Sequence, residues 1–371
     1  MASKSSETAP SSGAGSTPAA VRPPQLMRGY RKHQSMVNKA GNDARRYEYP
    51  LIMCRWIVED TARRVNDSRK EFPWKFYRGD CHSHTQHSDG IGTVAETAAM
   101  SQAAGLDFQF VTDHWGVTQG PECRKHGLWV GQEPVTKYHH MGVLGLDHAF
   151  TPRMEFPADL LEAEKLGATV FVPHPTGWQP VTVYNEEQKR VLEEVPSPFL
   201  MEICNGANNI VNAFDYTDDS ALELWDHLLM LGRVVHAMGN TDAHAPHAIG
   251  MVWNSVFAPR CDQPSILRAL RAGRSFVSDG PLVHIALGGA QMGTRAKPAD
   301  RSNNLKVTAV DSRGLASVSV VADGAPIAFW PMQQGTRLEQ SLALPASVAR
   351  YVRVEVRSRD GRRAFSNPIY L

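Results

Sequence analysis

Short apolar segments alternate with amphipathic segments between about residue 77 and residue 283. Four apolar runs have the length and the branched or aromatic content of buried strands. These runs are Phe108–Val111, Val170–Val172, Phe199–Ile203 and Val234–Met238. Between them, stretches such as 157–167 and 219–232 carry apolar residues at helical spacing. Strands that alternate with helices predict an α/β fold with a parallel sheet, and this many repeats favour a barrel.

Local end signals support the two helices. Pro157 and Gly167 stand at the start and end of the first, and Gly232 follows the second, as expected for a C-terminal glycine. Asp219 or Ser220 is the predicted N-cap of the second helix.

The pattern changes after residue 284. Strand-like runs alternate with Gly, Asp and Ser turns, which predicts a small C-terminal antiparallel β-sandwich. These runs are Leu305–Val310, Ala316–Val321 and Tyr351–Val356. At the other end, residues 1–25 are rich in Ser, Ala, Pro and Gly and are expected to be disordered. The predicted domains are a disordered tail (1–25), an N-terminal helical arm (26–76) with an amphipathic helix from Leu51, a barrel (77–283) and a β-sandwich (284–371).

Composition narrows the class of protein. The 371-residue chain has a net charge of +1, which argues against a general nucleic-acid binder. We expect no membrane span, because no apolar run approaches ~20 residues, and no secretory signal, because the N-terminus lacks an apolar core. The five cysteines form no C-x-x-C pair and fit a cytoplasmic protein. Histidine is the exception, since 13 of the 15 lie between His82 and His247.

Nine potential metal ligands lie in that histidine-rich stretch. They are His82, His84, Asp89, His114, Glu133, His140, His174, Asp242 and His244. His82 and His84 would point to one side of an extended segment, and several of the others follow predicted strands. In α/β barrels the active site is at the carboxyl ends of the strands. Imidazoles and carboxylates in this number predict a metal-dependent hydrolase that uses Mn²⁺, Zn²⁺ or Fe²⁺ rather than Ca²⁺.

Four motifs give the chain a family resemblance. They are Asp80-Cys81-His82-Ser83-His84-Thr85, Thr112-Asp113-His114, Pro173-His174-Pro175 and Thr241-Asp242-Ala243-His244. With these motifs, residues 77–283 resemble the PHP (polymerase and histidinol phosphatase) superfamily. The stretches 201–206 (MEICNG) and 273–281 (GRSFVSDGP) and the ending 364–370 resemble, more narrowly, the branch that includes carbaryl hydrolases.

The resemblance implies a distorted seven-stranded β/α barrel that binds two or three divalent metal ions. By resemblance, His82, His84, Glu133 and Asp242 would hold the first ion. Glu133 would bridge to a second ion held with His140 and His174, and Asp89, His114 and His244 would hold a third. His140 is preferred to its neighbour His139 because Gly145 follows it in the family's spacing.

A metal-activated hydroxide would be the nucleophile, so Ser88, Cys81 and Cys204 are interpreted as structural. The residues expected to be catalytic are His82, His84, Glu133, Asp242 and Arg274. Arg274 would either bind an anionic substrate or pair with a carboxylate. His87 and His247 are candidates for the general acid.

Three functions stay open. The first is a phosphoesterase acting on a small-molecule ester, and the second is a hydrolase of carbamate, carboxyl-ester or amide bonds. The third is a non-catalytic scaffold, which the complete set of ligands argues against. Basic residues around the pocket would favour phosphate, whereas an aromatic wall from Trp115, Trp129 or Trp178 would favour an aryl ester. The oligomeric state is not predicted.

Overall fold

The structure is a computed structural model that describes residues 51–153, 155–178, 182–206 and 214–371, with backbone alone at 51–54 and 182. The predicted disordered tail and the first half of the predicted arm therefore lie outside the described residues. None of the helices in the described ranges has the length and apolar character needed to cross a membrane.

Eight α-helices occur in the described part of the chain. They are α1 (Leu51–Arg69), α2 (Val94–Ala103), α3 (Gly120–His126), α4 (Phe156–Lys165), α5 (Glu186–Arg190), α6 (Tyr216–Met230), α7 (Gln263–Arg271) and α8 (Pro298–Arg301). Helix α6 begins earlier than expected, because its N-cap is Asp215 and not Asp219 or Ser220. The Asp215 carboxylate accepts the backbone N–H of Thr217 at 2.8 Å, which satisfies a first-turn donor.

The strands fall into one large sheet, a four-stranded sheet and a two-stranded ribbon. The strands that precede the C-terminal region are β1 (Tyr77–Asp80), β2 (Phe108–Val111), β3 (Trp129–Gln132), β4 (Gly142–Leu144), β5 (Thr169–Val172), β6 (Gly177–Trp178), β7 (Thr182–Val183), β8 (Phe199–Asn205), β9 (Val235–Asn240), β10 (Trp253–Val256) and β11 (Ser275–Ser278). The remaining strands are β12 (Leu282–Leu287), β13 (Ala290–Gln291), β14 (Leu305–Val310), β15 (Leu315–Ala322), β16 (Ala325–Pro331), β17 (Arg337–Leu342), β18 (Tyr351–Ser358), β19 (Arg363–Ser366) and β20 (Ile369–Tyr370). The α/β class expected from the alternating pattern is confirmed.

Seven strands are hydrogen-bonded in the order β1-β2-β3-β4-β5-β8-β9. The chain beyond β1 then meets the chain beyond β9: Asp242 N donates to His82 O, and His84 N donates to Ala243 O, both at 2.9 Å. The two ends of this seven-strand path are therefore joined at the edge where the predicted ligands lie.

The sheet is mixed, whereas a parallel sheet was expected. Strand β4 runs antiparallel to both β3 and β5, and β10 runs antiparallel to both β1 and β11. Hydrophobic period and length identify a strand but not its direction, so this difference was not visible in the pattern. Because β4 is reversed, its amino end lies at the same edge as the carboxyl ends of its parallel neighbours.

The C-terminal strands form two antiparallel groups that share one apolar core. The first (β16-β15-β18-β19) continues the large sheet through the pairing of β19 with β11, and the second is β13-β12-β14-β17. Buried residues of both groups, such as Ile285, Val307, Val320 and Val354, pack in the same cluster. This region is thus attached to the rest of the fold by backbone hydrogen bonds as well as by packing.

Helix α1 contacts the C-terminal region through several buried side chains, among them Val65, Ser68 and Arg64. Arg64 is 2 % exposed, and its guanidinium bonds Asp311, at 2.9 Å from Nε to Oδ1, and Asp360, at 2.7 Å from Nη1 to Oδ2. All three guanidinium nitrogens therefore bond carboxylates, and the helix is held against the turns that carry these residues.

Candidate metal centre

The nine predicted ligands all lie at one edge of the sheet. Glu133 follows β3 directly, His174 comes two residues after β5, and Asp242 comes two residues after β9. His140 instead precedes a strand, the reversed β4, and reaches the same edge for that reason. Eight of the nine side chains are buried, and His244 is half-buried.

Four donor atoms form the first group, which contains His82, His84, Glu133 and Asp242. The Nε2 atoms of His82 and His84 lie 3.1 Å apart. Glu133 Oε2 lies 3.3 and 3.2 Å from these two nitrogens, and Asp242 Oδ1 lies 3.1 and 3.0 Å from them. These four residues are the predicted ligands of the first ion.

The spacing of this group fits a metal ion. Four ligands held tetrahedrally at about 2.0–2.1 Å from one ion are roughly 3.3 Å from each other, close to the distances here. Two imidazole nitrogens that face each other at 3.1 Å need a proton or a cation between them. Asp242 Oδ1 is buried and makes no hydrogen bond in the described residues, as expected of an atom that binds a cation.

Glu133 divides its two oxygens between two sets of imidazoles. Oε2 faces His82 and His84, whereas Oε1 lies 3.0 Å from both His140 Nδ1 and His174 Nε2. A carboxylate with one oxygen in each of two nitrogen-rich groups has the arrangement of a bridging ligand. The structure also groups Glu133 and His140 with His114.

The third group surrounds Asp89. Its Oδ2 lies 3.2 Å from His244 Nε2 and 3.6 Å from His114 Nε2, and its Oδ1 lies 3.5 Å from His84 Nδ1. The predicted trio is therefore brought together, and His84 joins it. Because His84 has one ring nitrogen in the first group and one beside Asp89, the two groups are continuous.

Opposite charges inside the cluster shift the pKa values of their neighbours. Burial would raise the pKa of Glu133, but the imidazoles of His82, His140 and His114 outweigh burial and hold this pKa well below its usual range. Burial would lower the pKa of His244, yet Asp89 and Asp242 raise it to about 10. The raised pKa of His244 favours a proton on this ring in the metal-free cluster, and a divalent cation would displace that proton on binding.

Hydrogen bonds from the second ring nitrogen orient three of the imidazoles. His114 Nδ1 lies 2.7 Å from the carbonyl of Glu133, and His244 Nδ1 lies 2.8 Å from that of Asp242. His82 Nδ1 lies 2.8 Å from a carboxylate, that of Glu202. A protonated Nδ1 leaves Nε2 with its lone pair directed at the cluster, as metal-binding histidines require.

Strained backbone accompanies the site. His174 and Asp242 have φ angles of 29° and 48°, and Trp115, next to His114, has 59°. Non-glycine residues in this region cost of order 1–3 kcal/mol each and persist where the surroundings impose them. Two of the predicted ligands therefore occupy conformations that the local sequence alone disfavours.

Three carboxylates around the cluster were not identified as site residues. Asp80 accepts the backbone N–H of His82 at 3.2 Å, and Asp113 accepts that of Thr85 at 2.8 Å. Both stand inside the quoted motifs, so the motif order was the available signal. The third, Glu202, lies in the MEICNG stretch, which was noted only for its family likeness.

Arg274 does not join the cluster. Strand β10 is antiparallel to both β1 and β11, so β11 runs in the direction of β1. Arg274 precedes β11, is exposed, and accepts the N–H of Phe257 at the end where β1 begins, whereas His82 follows the end of β1. Arg274 therefore lies at the opposite edge of the sheet from the nine predicted ligands, and its catalytic role stays a prediction.

The serine, the two cysteines and the histidine His87 are each buried away from reaction or hydrogen-bonded to residues outside the nine predicted ligands. Burial, followed by the nearby carboxylates, raises the pKa of the Cys81 and Cys204 thiols well above the usual value. Ser88 Oγ donates to Asp113 Oδ1 at 2.6 Å. His87, a candidate acid, lies 3.1 Å from the Thr118 hydroxyl and 3.2 Å from Glu122 on the first turn of α3.

Two of the three tryptophans lie beside the ligands. The Trp178 ring centroid is 4.5 Å from that of His174 and 5.5 Å from that of His140. Trp115 is 5.2 Å from His114 and is 52 % exposed. Trp129 instead stacks on Phe108 in the core, so it does not contribute to an aromatic wall.

Comparisons with known proteins give structural neighbours only. No family model and no curated protein matches the chain. A two-domain protein from Bacteroides vulgatus, described as containing a predicted PHP-like metal-dependent phosphoesterase, is 16 % identical with a TM-score of 0.43, over 80 % of this chain and 95 % of its own. The lesion-specific endonuclease from Pyrococcus furiosus is 14 % identical with a TM-score of 0.37, over 53 % and 56 %.

An amidohydrolase from Chromobacterium violaceum is 15 % identical with a TM-score of 0.32, over 45 % of this chain and 88 % of its own. All three neighbours have TM-scores below 0.5 with this chain.

Proposed function

We propose that the protein is a metal-dependent hydrolase of small-molecule phosphoesters that binds two or three divalent ions. The observation that supports this most is Glu133, whose two oxygens face two different pairs of imidazoles at 3.0–3.3 Å. A single ion would need only one of these pairs. We further propose that the joined seven-strand path is the distorted barrel of the PHP type and that the two C-terminal sheets form a β-sandwich.

The residues that would hold the ions are those of the three groups. His82, His84, Glu133 and Asp242 would hold the first; Glu133, His140 and His174 the second; Asp89, His114 and His244 the third. When bound, such ions lower the pKa of a water from ~15.7 toward ~7 and neutralise charge that develops on the substrate. The buried imidazoles and carboxylates fix the ligand positions before substrate arrives, which reduces reorganisation during reaction.

Divalent ions at the site would bind the oxygens of an anionic substrate directly. The charge of three ions exceeds that of the three carboxylate ligands Asp89, Glu133 and Asp242, although Asp80, Asp113 and Glu202, which hydrogen-bond to the ligand-bearing segments, offset that excess. A phosphoester carries negative charge in its ground state and gains more at the leaving oxygen during hydrolysis. An arginine is then unnecessary for recognition, which agrees with the remote position of Arg274.

A hydrolase of aryl carbamates or carboxyl esters is the second candidate. It is favoured by Trp115 and Trp178, which border the predicted ligands on two sides. The exposed Trp115 ring would stack on an aromatic leaving group, and such contacts contribute about 0.5–1.5 kcal/mol. The same cluster of ligand atoms would serve either reaction, so the two candidates are distinguished by comparing activity on the two kinds of substrate.

The first experiment is to measure kcat/KM of Mn²⁺-loaded protein on an aryl phosphate and on an aryl N-methylcarbamate, before and after chelation. Preference for the phosphate, lost on chelation, supports the phosphoesterase. Preference for the carbamate overturns it in favour of the second candidate. Double substitution of His82 and His84 by Ala should abolish either activity, with His148→Ala as the matched control, since the His148 side chain is 58 % exposed. Activity that survives both chelation and the double substitution would contradict a metal-dependent hydrolase.

A further inference from the structure

Glu202 is a buried carboxylate whose acceptor capacity is used in full. It is fully buried on β8. Its Oε1 accepts from His82 Nδ1 and from Asn240 Nδ2, both at 2.8 Å. Its Oε2 accepts the backbone N–H of His174 at 2.7 Å and Asn205 Nδ2 at 3.2 Å. An ionised carboxyl group offers about four lone-pair positions, and each has a donor here.

These bonds reach ligands of more than one proposed ion. His82 belongs to the first group, whereas His174 contacts the Glu133 oxygen of the second. Asn205 also donates to Asp242 Oδ2 at 3.1 Å, so Glu202 is linked to a third ligand through one amide. The bond to the His174 N–H is made at a residue with a φ of 29°, where the backbone needs an external constraint.

Each Glu202 oxygen faces a group that can donate a hydrogen bond but cannot accept one in its place. The His174 backbone N–H can only donate, so Oε2 must accept. Asn240 Oδ1 accepts the backbone N–H of Cys81 at 3.0 Å, which fixes the orientation of that amide and directs its NH₂ at Oε1. Position 202 therefore requires two acceptor atoms, and an isosteric glutamine would have only one.

We propose that Glu202 is a positioning residue that sets the tautomer of His82 and the backbone of His174, and so determines how tightly the first two ions bind. With Nδ1–H donated to Glu202, the His82 Nε2 lone pair is directed at His84, Glu133 and Asp242. The role rests on the proposed metal-dependent function but concerns binding, so it can be measured without turnover.

The test is Glu202→Gln, with metal binding as the readout. If the amide nitrogen of the introduced glutamine occupies the Oε1 position, it faces the NH₂ of Asn240, and two donors then oppose each other. His82 Nδ1 must then accept a hydrogen bond, so the ring carries its proton on Nε2. If it occupies the Oε2 position, it opposes the His174 N–H. Either arrangement displaces a ligand, and loss of an outer-shell partner typically costs ~10–100-fold in metal affinity. We expect that loss in Co²⁺ or Zn²⁺ affinity by calorimetry, and a changed visible absorption spectrum of the Co²⁺ protein.

Asp311→Asn is the matched control. Its carboxyl group is also buried and accepts the Arg64 Nε–H and the backbone N–H of Arg313, each at 2.9 Å, but it contacts no imidazole among the described residues. This variant should retain the metal affinity and Co²⁺ spectrum of the wild type. Equal losses in both variants would mean that any buried carboxylate here matters only for folding, and would overturn the proposal.

The two proposals fail in different ways. Wild-type protein that binds no divalent metal would overturn the metal-dependent function itself. Wild-type protein that binds metal, together with a Glu202→Gln variant of equal affinity and spectrum, would overturn only the role of Glu202. If Glu202→Gln does not fold, Asn205→Ala takes its place, because this change removes the amide that joins Glu202 to Asp242. A several-fold loss of metal affinity in this variant supports the proposal. An unchanged metal affinity overturns it.

Discussion

The protein buries charged side chains in two regions, and the regions differ in how completely those side chains are hydrogen-bonded. In the cluster formed by Arg64, Asp311 and Asp360, every guanidinium nitrogen bonds a carboxylate. At the candidate metal centre, two imidazole nitrogens of His82 and His84 face each other at 3.1 Å, and Asp242 Oδ1 makes no hydrogen bond in the described residues. Both regions contain nearly fully buried side chains, although Arg64 lies on helix α1 and the predicted ligands lie at the ends of strands.

The difference separates a structural cluster from a binding site. Arg64 and its partners satisfy one another, so no further ligand is needed to compensate their desolvation. In the metal centre, lone pairs of several nitrogen and oxygen atoms point at the same positions. This arrangement costs free energy unless protons or cations occupy those positions. Substitutions in the two regions should therefore separate stability from metal-dependent activity.

The largest functional effect is expected from Glu133→Gln. A carboxamide keeps the size of the side chain but loses the charge and one acceptor oxygen, so it cannot hold two ions. We expect kcat/KM on the preferred ester to fall by well over ~100-fold, beyond the usual cost of losing an outer-shell partner. Metal content of the purified protein should fall in parallel. Glu186→Gln, whose side chain is 82 % exposed, is the control and should keep full activity; wild-type activity in Glu133→Gln would contradict the bridging role.

The largest effect on stability is expected from Arg64→Met. This change leaves Asp311, which is fully buried, without its cation. Breaking a buried ion pair on one side costs about 3–5 kcal/mol, and the urea midpoint should fall accordingly. Metal content and kcat/KM of the folded protein should stay at wild-type values, since no contact joins this cluster to the centre within the described residues. Loss of metal at unchanged stability would show that the two regions are not independent.

Removal of metal should have a smaller and reversible effect on stability. Ligands that bind only the folded state stabilise it by RT ln(1 + [L]/Kd), about 2.7 kcal/mol per site at a hundredfold excess over Kd. Chelation should lower the melting temperature of wild type and of Arg64→Met by similar amounts, and Mn²⁺ or Zn²⁺ should restore it. A melting temperature that is insensitive to both chelator and metal would count against ion binding at the centre.

The metal-free protein should also respond to pH in the opposite sense to the metal-loaded protein. Burial lowers the pKa of His114, but Asp89 and Glu133 raise it to about 9. A histidine whose pKa is raised on folding contributes stability that is complete below its unfolded value of about 6.5 and is lost as the pH rises through about 9. Metal-free protein should therefore become less stable over this interval, whereas metal affinity should increase as protons leave the ligands. Thermal melts with and without metal at pH 6.5 and 9 measure both trends.

The sequence predicted that candidate ligands lie at strand ends, as the structure shows, but it did not predict the direction of every strand. Strand ends such as Val111 and Val172 were identified because buried strands are short, apolar and β-rich, and the polar residues that follow them stand out. The reversed direction of β4 was not predicted, since antiparallel and parallel buried strands share one hydrophobic pattern. Glu202 was missed for a related reason: its role depends on His82, Asn240 and His174, which only the folded chain brings together.

Arg274→Ala should have the smallest effect, and it tests a predicted catalytic residue that lies away from the metal centre. The sequence predicted that Arg274 binds an anionic substrate or pairs with a carboxylate, but it carries no information on the edge of the sheet at which this turn lies. The exposed Arg274 side chain lies at the amino end of β11, opposite the metal centre. We expect kcat/KM and metal content to match those of the wild type. The free energy of unfolding should stay within about 0.5 kcal/mol of wild type, as for most exposed substitutions. A tenfold or larger rise in KM for an anionic ester alone would reverse this conclusion and place Arg274 in substrate binding.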